Sequence, residues 1–191
     1  MKFSILAVAG ALALAGCAQG GLTPLDTATM PLNPSGGPKL NQNEAIALAS
    51  WALKDPANTA GHPGWAARAL AAEDWLAGQT QLYGNFGSYS PGGELSWAQF
   101  RQQARAAIGV APGAPSQQVV DRLLATADAL DAGHADAAKA QLAAPIFSLG
   151  PDGTLRALGN LPPLPGRDWA FAELDRNEDR SLGGHQPGIF H

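Results

Sequence analysis

The chain has 191 residues, a formal net charge of −4 and 46% hydrophobic residues, with one Cys, 23 Gly and 15 Pro. That length suits one domain with some tail. The composition excludes a collagen-like chain, a disulfide scaffold, a polytopic membrane protein and a basic nucleic-acid binder. What is left is a small, Ala-rich helical domain with a thin core, in which five Trp supply much of the large apolar area.

Met1-Lys2 makes a short positive start, and Phe3 to Leu14 is an apolar run. The run is too short for the ~20 residues of a membrane-spanning helix and reads as the core of a secretory signal. It ends in Leu14-Ala15-Gly16-Cys17. Those residues resemble the lipobox of bacterial lipoproteins. The resemblance implies a signal peptide over 1–16, cleavage after Gly16, and lipid and acyl modification of Cys17. Ala18 in place of Asp resembles the pattern that enteric-type bacteria pass to the outer membrane. The expected location is therefore the outer membrane, lipid-anchored and facing the periplasm. Cys17 is the sole cysteine, so its modification leaves no thiol for catalysis, disulfides or metal binding. Several acyl chains would hold the protein stably without a transmembrane helix.

Residues 17–40 are dense in Pro and Gly and lack any helical or alternating period, so a lipid-anchored flexible tether is expected there. The helical domain is expected over 41–144. Asn41 and Glu44 make a capping box for a helix over 42–54, which Asp55-Pro56 stops. Pro63 opens a second helix over 63–77, with Trp65, Ala69, Ala72 and Leu76 on one face. Ser96 and Gln99 suggest a capping box for a third over 96–108. Trp97, Phe100, Ala104, Ala107 and Ile108 point inward there, and Gln99, Arg101, Gln102, Gln103 and Arg105 form a solvated face. A fourth over 117–132 buries Val120, Leu123, Leu124, Ala127 and Leu130, and a fifth covers 136–144. The fold class is thus all-α, a small Ala-rich bundle of four to five helices, with Trp65 and Trp97 mostly buried.

Residues 145–191 form an irregular Pro/Gly-rich segment with a short helix and a tail. Ile146 to Leu155 reads as a hairpin or as loop packed on the bundle, Leu161 to Pro165 as extended chain, and Asp168 to Leu174 as a last helical turn or two. The stretch from Ile146 to Trp169 is faintly similar to uncharacterised Ala-rich lipoproteins of alphaproteobacteria, which carry no activity over.

Candidate chemistry is sparse. His62, His134, His185 and His191 lack the helical pairing of a hydrolytic zinc site. Asp175, Asn177 and Asp179 resemble the first half of an EF-hand calcium loop. Arg180 stands where that loop needs Gly, and Gln186 where it needs a bidentate Glu. Tyr83, Phe86 and Tyr89 lie in a Gly-rich connection, and they either stack a ligand or pin the loop. No GxSxG, SxxK or P-loop occurs in the mature chain. Glu73 and Asp74 are adjacent on one helix and diverge. No cofactor and no nucleic acid is expected. The favoured reading is an envelope lipoprotein with a structural or protein-interaction role, its partners the membrane and possible envelope proteins or peptidoglycan. The alternatives are a glycan- or peptide-binding module on the 83–89 loop, and an envelope-polymer enzyme.

Overall fold

The computed structural model describes residues 26–82 and 91–172. Within them the chain is all-α: α1 Gln42–Ala52, a 3-10 turn Pro56–Asn58, α2 Pro63–Leu82, α3 Pro91–Ala107, α4 Ser116–Asp131, α5 Ala135–Gln141 and α6 Gly150–Leu158. A final helical turn spans 167–172. Among the described residues the only β-type pairings are two isolated bridges, Leu32 with Pro38 and Val110 with Phe147.

The capping box of α1 forms as its sequence dictates: Glu44 N–H donates to Asn41 Oδ1 at 3.0 Å, and Asn41 N–H to Glu44 Oε2 at 2.8 Å. Asp55 Oδ1 caps the short 3-10 turn through Ala57 N–H. α2 is the hub, packing against α1, α3, α4 and α6. Its Ala66, Ala67, Ala69, Ala71, Ala72 and Ala77 are all fully buried. A helix covered on nearly every side cannot be amphipathic, and methyl-sized side chains let neighbouring axes come close. Larger groups fill the remaining volume. Trp97, Phe100 and Phe171 meet with ring centroids 5.4 to 6.1 Å apart, and Phe147, Leu123, Leu124 and Leu158 complete the core.

Several expectations need correction. α3 starts at Pro91, so Ser96 lies inside the helix and does not cap it; proline is favoured in a first helical turn, where its missing N–H costs nothing. Trp97 is fully buried, but Trp65 is 45% exposed. Trp65 sits in the first turn of α2, where its ring meets those of Trp51 at 5.6 Å and His62 at 4.8 Å and is otherwise open enough to stay half exposed. Residues 145–149 are loop packed on the bundle. Gly109 makes that packing possible: its φ is +71°, and a Cβ there would lie 2.3 Å from Leu149 Cγ. Beyond it, Gly150-Pro151-Asp152-Gly153 is not a turn but the opening of α6. Pro151 and Asp152 both suit a first turn, and Thr154 and Leu158 face inward.

The largest departure concerns the expected tether. From Asp26 onward the chain is a strap laid over α2, α3 and α4. Ala28 and Met30 are buried. Gln79 Nε2 donates to Ala28 C=O, and Gln117 exchanges hydrogen bonds with both backbone groups of Thr29. Lys39 pairs with Asp128 at the far end.

Candidate functional site

Where the strap, α2, α3 and the start of α4 converge, charged side chains are drawn into the interior. α2 contributes Glu73 and Asp74, each 1% exposed, and α3 contributes Arg101, 2% exposed, with Arg105 partly buried one turn on. Arg101 is four residues from Trp97 and three from Ala104, so it shares their inward stripe. The expectation of a solvated face holds for Gln99, Gln102 and Gln103 but fails for the two arginines.

Asp74 is the centre of the network. Arg105 grips it in bidentate fashion, Nε to Oδ2 at 2.6 Å and Nη2 to Oδ1 at 3.0 Å. Arg101 Nη2 lies 3.2 Å from Oδ1, and the Ser116 hydroxyl donates to the same oxygen at 2.6 Å. Arg105 also donates to Ala114 C=O and to Ser116 Oγ. Asp26 arrives from the strap: its Oδ1 takes a bond from Arg101 Nη2 at 2.7 Å, and its backbone oxygen one from Nη1 at 3.0 Å. Its other oxygen accepts the N–H of Ser116. Residue 115, the N-cap of α4, is Pro and offers no side-chain cap, so Asp26 does that work from 90 residues away.

The ionisation of these groups follows from their surroundings. Burial pushes the Glu73 carboxyl well above its usual range, Asp74 adds to this, and Arg101 and Arg105 only partly oppose it. The fold thus favours the protonated form of Glu73. Burial also raises Asp26, but the Ser116 N–H and the two arginines outweigh it and bring that carboxyl below its ordinary value. The side chains of Asp26 and Asp74 stand against the guanidinium groups of Arg101 and Arg105.

The network forms one wall of a cleft of about 550 Å³, lined by Asp26, Arg101 and Arg105 on the polar side and by Val110, Pro112 and Ala114 among others on the apolar side. That volume falls within the ~300–1,000 Å³ of small-molecule sites. The Ser116 hydroxyl is buried and already both donates and accepts, so it is not offered as a nucleophile. A second depression, bounded by Lys39, Arg68 and Asp128, holds a surface ion cluster in which Arg68 bridges Asp128 at 3.2 Å and Asp131 at 2.8 Å.

Of the residues singled out from sequence, Cys17, Tyr83, Phe86, Tyr89, Asp175, Asn177, Asp179, His185 and His191 lie outside the described residues. His62 stacks on Trp65. His134 stands exposed before α5 without capping it. Among the described residues no group of three or more His, Cys, Asp or Glu could hold a metal ion, and no helix is long and apolar enough to cross a membrane. In comparisons with known proteins, no family model, no curated protein and no solved structure matches this chain.

Proposed function

We propose that this chain is a bacterial envelope lipoprotein, anchored through Cys17 in the outer membrane. Its helical domain faces the periplasm in a structural or protein-interaction role. The observation that carries the reading is the run from Met1-Lys2 through the apolar segment to Leu14-Ala15-Gly16-Cys17, in a chain with no other cysteine. Two features support it. Trp51, Trp65 and Trp169 are 46%, 45% and 71% exposed, a large aromatic investment on a small domain's surface and of a kind that interfaces favour. Because Asp26 is already bonded to Arg101 and Ser116, only nine peptide steps separate the packed chain from Cys17, a reach of at most ~30 Å. The domain would sit close to the headgroups rather than at the end of a long tether.

Mass spectrometry of the mature N-terminus tests the anchor. The expected result is a chain that begins at Cys17 and carries diacylglyceryl and acyl groups, with a Cys17→Ser variant unmodified but normally helical. A free Cys17 thiol, or a mature chain that starts elsewhere, overturns the reading. A ligand-binding role is the second reading, favoured by the cleft between the strap and α3.

A further inference from the structure

We propose that the Arg101–Ser116 corner of the cleft is a binding site for a monocarboxylate with an apolar body, and that Asp26 occupies it as an internal stand-in. The site is independent of how the chain is anchored.

Two donors converge there from different elements, Arg101 Nη2 and the first backbone N–H of α4, and both end on the Asp26 carboxylate. That pair is the equipment of an anion site: a guanidinium and a helix N-terminus aimed at one point. The guanidinium is built in rather than incidental. Arg101 lines the cleft, yet it is 2% exposed, and its Nε has no hydrogen-bond partner. The occupant differs from its setting. The Asp26 side chain is 51% exposed, and Ala28 and Met30 hold the strap through their own burial. Rotation of Asp26 into solvent would therefore release the Ser116 N–H and leave Arg101 Nη2 shared only with Asp74, without unpacking the core.

Charge and shape define what takes its place. A monoanion replaces Asp26 one for one and leaves the balance of charge around Arg101 and Arg105 unchanged. A dianion such as phosphate meets the carboxylate of Asp74, which already lies 3.2 Å from Arg101 Nη2 and repels a second charge. Beside the polar corner, Val110, Ala111, Pro112, Ala114 and Pro115 line the cleft. They offer apolar surface to the body of the acid, and Gln102 is the one uncharged hydrogen-bonding side chain in the lining. A short-chain organic acid and the C-terminus of a small-residue peptide share this chemistry.

The test uses the full mature chain in a neutral detergent, titrated with hexanoate and with acetyl-trialanine, each against its amide and against inorganic phosphate. Calorimetry gives affinity, and the Ser116 amide resonance reports the site. Both wild type and Asp26→Asn are measured. At least one acid should bind where its amide does not and should shift the Ser116 amide. Asp26→Asn should bind it about fivefold or more tightly, because the competing occupant is gone. Hexanoate alone assigns the site to small organic acids, and the peptide alone to chain termini. The proposal is overturned if neither acid binds either protein, if acid and amide or acid and phosphate bind equally, or if Asp26→Asn weakens binding. Should the variant not fold, the wild-type Ser116 shift with acid against amide decides.

Discussion

Glu73 is the residue whose state most depends on the fold. Its carboxyl is fully enclosed, its Oε1 has no hydrogen-bond partner, and burial followed by the neighbouring Asp74 raises its pKa well above the ordinary value. In the unfolded chain it would ionise near pH ~4.3. Between that value and its raised value in the fold, the folded state holds one proton more, so stability falls as pH rises, by at most ~1.4 kcal/mol per pH unit. The contribution is complete below the unfolded value and is lost as pH climbs through the folded one. Asp26 and Asp128 are shifted downward, so their contributions are lost in acid and do not overlap this window. Glu73→Gln should flatten the decline that sets in above the unfolded value in urea titrations at a series of pH values. Equal slopes in wild type and variant would show that Glu73 is not a buried neutral acid.

At the scale of elements, the strap does what a free tether could not: it caps α4 and covers α2 and α3. Contact with α2 is tight at Gly78, where a Cβ would lie 3.1 Å from Thr27 Cα and 3.2 Å from the Asp26 carbonyl oxygen. Backbone lies on the far side, so a larger side chain there must push the strap away. Gly78→Val should lower stability by about 1–3 kcal/mol and speed amide exchange at Ala28 and Met30. Unchanged exchange at those two amides would mean that the strap is a passive cover. The buried Asp74–Arg101–Arg105 cluster itself adds little net stability, because desolvation of the charges offsets much of their attraction. It joins α2, α3 and α4 at one point, through Asp74, Arg101, Arg105 and Ser116.

Across the whole molecule, α2 shares its buried surface with α1, α3, α4 and α6, and no pair of helices owns a separate core. Unfolding should therefore be a single cooperative transition. Far-UV circular dichroism and Trp fluorescence should give the same urea midpoint, since Trp97 reports the core at α3 while helix content reports every element. A fluorescence midpoint well below the helical one would indicate that the α3 aromatic cluster melts independently of the α2 hub.

Much of this architecture is local and was readable. Asn41 and Glu44, Pro63, and the apolar period of Val120, Leu123 and Ala127 place α1, α2 and α4 within a few residues, because caps and periodicity act over single turns. α6 was obscured because the Gly and Pro that mark turns also suit a helix start. The lipobox reading belongs to the sequence alone. The buried charge network, and the cleft beside it, belong to the tertiary structure. Arg101 and Arg105 look like part of a polar face until Asp74, 27 and 31 positions earlier, is set against them. One clue was present: Glu73 and Asp74 interrupt a helix otherwise nearly without a polar face. Nothing local pairs Asp26 with Ser116 across 90 residues. Such partners meet only because the strap returns over the bundle, and burial gives their charges a meaning that position in the chain does not.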